Sequence, residues 1–136
     1  MKKVMIFGTF DIFHAGHRNF LKQAKSYGDY LIVVVARDKT IKEVKGVWPQ
    51  NKEKDRLRVV ESSGLASEAV WGSRGDKYAV IKKYRPDVIC LGYDQRFFID
   101  NLKSELLKLG LKDTKVVRLR AYHPEIYKSS KLKEKK

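Results

Sequence analysis

"YLIVVVA", residues 30–36, runs seven positions without a charge, and four of the seven are β-branched. A strand with one face in water alternates apolar with polar residues. This one does not, so both its faces must be covered, as in the interior of a parallel sheet. Outward from it, "KVMIFG" within 2–8 and "DVICLG" (87–92) have the same unbroken apolar character and each ends at a glycine. "EAVW" (68–71) and "KVVRL" (115–119) read as two shorter strands. Between them lie helical patterns. Phe20, Leu21 and Ala24 share a face over 16–27, with Gly28 as the stop, and 51–62 follows the turn at Pro49. A helix over 76–84 ends before Pro86, and Leu102, Leu106 and Leu109 line one face of 98–110, closed by Gly110. The tail from about Ser129 reads as a short last helix.

Apolar strands alternating with amphipathic helices specify an α/β architecture: a Rossmann-like, doubly wound, five-stranded parallel sheet with helices on both faces. Ligands of such folds bind beyond the carboxyl ends of the strands, near the point where strand order reverses. Three chemically loaded loops are expected there: the one after "KVMIFG", "ARDKT" (36–40) and "LGYDQ" (91–95).

The first of these loops opens "FGTFDIFHAGHRNFL" (7–21), where a strand gives way to a helix. His14 and His17 are three apart and so share one side of the helix's first turn. That turn also carries unpaired N–H groups and the positive end of the helix dipole, a ready anion site. Gly16 has no side chain and admits a phosphate close to the backbone. The dipole and nearby lysines favour neutral imidazoles, which donate hydrogen bonds without titrating. Zinc lacks a third ligand at a recognised spacing, so no metal site is assigned to the protein. Neither a P-loop nor a dinucleotide-binding glycine fingerprint is present, and no serine or cysteine nucleophile stands beside an ordered base. Phosphate chemistry without a covalent intermediate is what remains.

The bulk numbers agree. The 136 residues suit one domain, 1–136, with a basic tail at about 128–136. With 43% hydrophobic and 34% charged residues the chain has ordinary globular composition. Cys90, the single cysteine, sits in an apolar strand and supports neither a disulfide framework nor a cysteine-built metal site. No stretch has the length of a membrane span and no signal-peptide apolar region opens the chain, so a cytoplasmic protein with no membrane partner is expected. The formal charge of +14 favours anionic ligands. Five lysines fall in "YKSSKLKEKK" and the rest are dispersed. Aromatics do not interleave with them, so nucleic acid is not the expected partner.

"GTFDIFHAGH" resembles the signature of the HxGH nucleotidyltransferase superfamily, the cytidylyltransferase-like proteins, and the likeness runs from residue 2 to about 132. Its members join a nucleoside triphosphate to a phosphorylated acceptor and release pyrophosphate. "LIVVVARD" (31–38), "KEVKG" (42–46) and "DVICLGYDQ" (87–95) are most similar to archaeal-type FAD synthases, which adenylylate FMN. Glycerol-3-phosphate cytidylyltransferases, using CTP and a polyol phosphate, are next. A module that kept the fold and lost catalysis, binding only nucleotide or nucleic acid, is the alternative of another class; intact His14, Gly16 and His17 speak against it. "YKSSKL" departs from the family's final motif at Lys128, while Ser129, Ser130 and Lys131 match. The C-terminal cysteines frequent in archaeal-type FAD synthases are absent.

The resemblance implies an in-line attack on the α-phosphorus, a reaction needing alignment and charge neutralisation more than proton transfer. It gives His17 the α-phosphate and His14 the β- or γ-phosphate. Lys42 and Lys45 fall where the family places a mobile basic loop over the phosphates, completing the catalytic set. Gly8, Thr9, Phe10, Gly16, Arg56, Gly92, Asp94, Ser129 and Ser130 are the remaining nucleotide-binding candidates. Asp11, Tyr122 and Tyr127 are acceptor-side candidates; for Asp11, helping to position the metal and pinning its loop are the competing roles. His123, Phe97 and Phe98 are further aromatic-ring candidates for a flavin. Mg2+ is expected with the triphosphate, ATP or CTP as the nucleotide, FMN foremost as acceptor, and a homodimer as the assembly.

Overall fold

The computed structural model of the protein describes residues 1–73, 76, 78–92 and 99–119. Five strands, β1 (Lys3–Gly8), β2 (Tyr30–Val35), β3 (Glu68–Trp71), β4 (Val88–Leu91) and β5 (Lys115–Arg118), form one sheet in the order β3-β2-β1-β4-β5. Every neighbouring pair is parallel, with Met5 beside Ile32 on one side and Ile89 on the other. The helices are α1 (Ala15–Lys25), α2 (Asp38–Lys45), α3 (Glu53–Ser62), α4 (Ala79–Tyr84) and α5 (Ile99–Lys108). From β1 the chain moves outward to β2 and β3, then crosses to β4 on β1's other flank. The order reverses at β1, so the β1–β4 crevice is the switch point.

The unbroken apolar strands are covered on both faces because alternate side chains point to opposite sides. Met5, Phe7, Ile32, Val34, Ile89 and Leu91 pack with Val80 and Ile81 of α4 and Leu102 and Leu106 of α5. Val4, Ile6, Leu31, Val33, Val35, Val88 and Cys90 pack with Leu21 and Ala24 of α1 and Val60 of α3. Burial pushes the Cys90 thiol up to about 12, so it is a core side chain without thiolate character at neutral pH.

Three local features differ from the pattern-based expectation. Residues 38–45, which the resemblance makes a basic loop, form helix α2. Ile41 is its one buried residue, so no apolar stripe announces it; a left-handed Gly46 ends it (φ 80°). Gly28 does not cap α1, which stops at Ser26. A Cβ at Gly28 would stand 2.7 Å from the Lys2 carbonyl oxygen, so this glycine lets the returning chain pass against the start of β1. Gly110 does end α5, with φ 75° and a bond from the Leu111 N–H to the Leu106 carbonyl. The expected helix over 76–84 shortens to α4, whose last turn closes on Arg85 in the left-handed region. The tail helix expected from Ser129 lies outside the described residues.

Candidate active site

β1 ends at Gly8, and the next six residues turn the chain into α1. Phe10 makes that turn with a positive φ of 52°, a conformation costing a non-glycine residue about 1–3 kcal/mol. Burial offsets the strain: the Phe10 ring folds back under Gly8, where a Cβ would meet it at 2.8 Å, and is almost wholly buried. Gly8 is therefore glycine to admit this ring. Asp11, also buried, accepts the N–H groups of Gln50 (2.9 Å) and Asn51 (2.8 Å), and the Asn51 amide bonds its carbonyl. Of the three roles open for Asp11, its hydrogen bonds display the pinning of the 50–51 segment onto the motif loop.

His14 caps α1. Its Nδ1 accepts the Gly16 N–H at 3.0 Å, and the His17 Nδ1 accepts the His14 N–H at 3.3 Å. Two histidines thus close a reciprocal capping box of the kind that hydroxyl and carboxylate residues usually make. Because each Nδ1 accepts, each neutral ring carries its proton on Nε2; that nitrogen is buried in His14, and the His17 ring is hydrogen-bonded to the Ile12 carbonyl. Gly16's own N–H is occupied by the cap, so what this residue offers a ligand is the missing side chain. The rings stack 4.0 Å apart, with Phe13 stacked on His17 at 5.6 Å and the Phe10 ring edge-on at 5.4 Å. Desolvation in this aromatic surround, helped by the neighbouring His14 and, to a smaller extent, by the Lys45 charge, holds His17 down to about 3; a hydrogen bond to the Ile12 carbonyl, stronger in effect than Lys45, and the Asp11 charge act the other way. Burial lowers His14 as well. Both rings are neutral at physiological pH.

Other sequence candidates divide sharply. Lys45 stands near enough for its charge to act on His17. Lys42 is exposed, and its Nζ donates to the Gly46 carbonyl (2.8 Å), closing α2. Arg56, expected at the triphosphate, has another task. Its side chain is wholly buried, with Nε on the Asn51 carbonyl (2.9 Å) and Nη1 on the carbonyls of Thr9 (2.9 Å) and Ala36 (2.7 Å). Nη2 pairs with Asp38 at 2.6 Å. This guanidinium ties the ends of β1 and β2 to α2 and the 50–51 segment, and a sequence read without its partners cannot separate such a clamp from a phosphate ligand. It also takes up the carbonyl of Thr9. Gly92 follows β4 across the switch point, its carbonyl accepting Arg118 Nη1 at 2.7 Å. Asp94, Ser129, Ser130, Tyr122 and Tyr127 lie outside the described residues, as do Phe97, Phe98 and His123.

Beside the clamp is a second lock. Arg37 pairs with Glu53 (3.0 Å), donates to the Gly72 carbonyl and lies 4.9 Å over the Trp71 ring, whose indole N–H meets the Glu53 carbonyl. The Glu53 carboxylate also accepts the Asp38 N–H at the start of α2 (2.9 Å). Asn51, Asp38, Glu53 and Phe13 are the residues that sequence reasoning missed. Only Phe13, three before Gly16 in the same motif, left a local signal; the others act across separations of 15 residues or more.

Residues 5–135 match the cytidylyltransferase-like family. A FAD synthase of Ferroglobus placidus is 47% identical over 137 residues, spanning 99% of this chain and 88% of that protein. A FAD synthase of Pyrococcus horikoshii is 43% identical, spanning 98% and 88%. Among solved structures, a lipopolysaccharide core biosynthesis protein from Thermoplasma volcanium superposes with a TM-score of 0.83 at 41% identity, over 90% of this chain and 98% of its own.

Proposed function

Because the chain belongs to the cytidylyltransferase-like family, we propose that it is a nucleotidyltransferase that moves the adenylyl group of ATP onto FMN, giving FAD and pyrophosphate. An oxygen of the FMN phosphate attacks the α-phosphorus in line. A new P–O–P bond forms, the bond from the α-phosphorus to the bridging oxygen breaks, and pyrophosphate leaves with that electron pair. No proton transfer is needed at the reacting centre, so neutral donors of fixed orientation suit the step better than titrating groups. His17 serves the α-phosphate as charge grows on its oxygens, exchanging its bond to the Ile12 carbonyl for the phosphate, His14 serves the β- or γ-phosphate, and Lys45 supplies positive charge beside them.

Among the described residues no three His, Cys, Asp or Glu side chains gather to hold an ion, and the Asp11 carboxylate is taken up by backbone N–H groups. In this proposal Mg2+ enters as part of the nucleotide substrate, where it offsets phosphate charge. No helix among the described residues is long and apolar enough to cross a membrane. A cytoplasmic homodimer completes the proposal.

The observation that carries it is the mutually capped His14–His17 pair at the switch point of a chain similar to FAD synthases over nearly its whole length. The test incubates protein, magnesium, each of four NTPs and FMN, and resolves the flavins chromatographically. ATP is expected to give FAD and equimolar pyrophosphate. Product from CTP and glycerol 3-phosphate, with no FAD, would leave a nucleotidyltransferase and remove the flavin substrate.

A further inference from the structure

Between Glu43 and Pro49 the chain exposes three large apolar side chains: Val44 (53%), Val47 (59%) and Trp48 (60%). The other exposed large hydrophobics among the described residues, Met1, Tyr27, Val59 and Leu107, are scattered along the chain. A contiguous exposed apolar patch is a binding surface until shown otherwise. Its position is well determined. Lys45, one residue after Val44, acts electrostatically on His17. Gln50 and Asn51, two and three residues after Trp48, are held by the buried carboxylate of Asp11, within the motif loop itself. Successive Cα atoms are about 3.8 Å apart, so Trp48 is anchored within two peptide units of the loop that carries the histidines.

The segment is also stiff. Gly46 breaks α2 in the left-handed conformation, Pro49 restricts its own φ and biases the preceding Trp48 toward extended backbone, and Asp11 fixes the far end. An indole presented this way loses little conformational freedom on binding. Lys42, Lys45 and Lys52 lie within six residues of it along the chain, so an apolar side chain is set in a cationic segment. That combination matches a ligand with a large aromatic ring at one end and a phosphate at the other.

We propose that Trp48, flanked by Val44 and Val47, is the platform on which the isoalloxazine ring of the acceptor stacks, making it a specificity-determining residue for a flavin phosphate over a polyol phosphate. This rests on the flavin substrate proposed above. An electron-poor fused ring gains from lying on indole, whereas a glycerol chain gains nothing from it.

Trp48→Ala and Trp48→Phe in the full chain test it. Trp48→Ala is expected to raise the KM for FMN about tenfold, the size of one lost aromatic stack, with the KM for ATP changed less than about twofold and Trp48→Phe recovering most of the loss. Titrating FMN without ATP gives an independent readout: the wild-type protein quenches flavin fluorescence and Trp48→Ala does not. An unchanged KM for FMN in Trp48→Ala would overturn the platform, as would a raised KM accompanied by dissociation of a dimer in sedimentation, which would make the patch a contact between copies. If the wild-type protein forms no FAD, the substrate assignment falls by itself. The quenching titration then decides the platform alone, retained quenching that depends on Trp48 supporting it and absent quenching overturning it.

Discussion

On the β2–β3 side of the carboxyl edge, Arg37 and Arg56 are paired with Glu53 and Asp38, and each also donates to backbone carbonyls, Arg37 to one and Arg56 to three. On the β1 side, His14 and His17 carry no formal charge at physiological pH and commit their Nδ1 atoms to the cap. The residues that look most like phosphate ligands by charge are thus scaffold. The neutral rings are the ones proposed here to meet an incoming triphosphate. Preorganisation explains the division. A donor useful in a transition state must already be aimed, and here the aim comes from a cap and two phenylalanines while the arginines hold the loops that carry them.

The division breaks most visibly at Arg56. Arg56→Met strips the partners from three carbonyls and from Asp38, and is expected to lower stability by about 3–5 kcal/mol in urea unfolding. A loss below 1 kcal/mol, with a large rise in the KM for ATP, would return Arg56 to the nucleotide. His17→Ala should do the reverse. Turnover is expected to fall about 10²–10³-fold, with nucleotide affinity changed much less and stability by only about 1 kcal/mol for the lost cap. Near-normal turnover in single-turnover assays would take His17 out of the reaction. Asp11→Asn replaces an acceptor oxygen by an NH2 facing the 50–51 N–H groups, and is expected to cost about 1–3 kcal/mol while raising both KM values. If only one KM moves, Asp11 touches that substrate.

Titration sharpens the comparison further. His17 is held at about 3, well below its unfolded value, so between pH 6.5 and 3 the unfolded chain binds the proton that the native ring refuses. His17 therefore makes no difference to stability above pH 6.5 and lowers it progressively as pH falls through that window. Its NMR resonances should stay unshifted down to about pH 4, and kcat should show no inflection near 6.5 from this ring. An inflection at 6.5 that vanishes in His17→Ala would mean the ring titrates as a free imidazole. The smallest expected effect is that of Lys42→Ala. This exposed cap of α2 should alter turnover less than about twofold, whereas Lys45→Ala, removing a charge that acts on His17, should alter it more.

Much of this was legible before folding. "YLIVVVA" and its two companions specified a covered parallel sheet because apolar residues on both faces of a strand admit no other solution in water. His14, Gly16 and His17 were legible because all the geometry they need lies within one helical turn. Helix α2 was not, since a helix with a single buried side chain, started by a carboxylate from α3, has no periodic stripe to show.

The sequence by itself determined the layers of the fold, the edge that carries the chemistry and the histidine pair, all set by contacts a few residues apart or by bulk apolarity. Tertiary structure alone decided that Arg56 and Asp11 face inward, that Phe10 strains its backbone to shelter His17, and that Trp48 stands out beside the cradle. Those outcomes depend on partners as much as 47 residues distant, such as Thr9 for Arg56. Whether a charged side chain clamps a loop or meets a ligand is decided by which backbone groups the fold leaves within its reach.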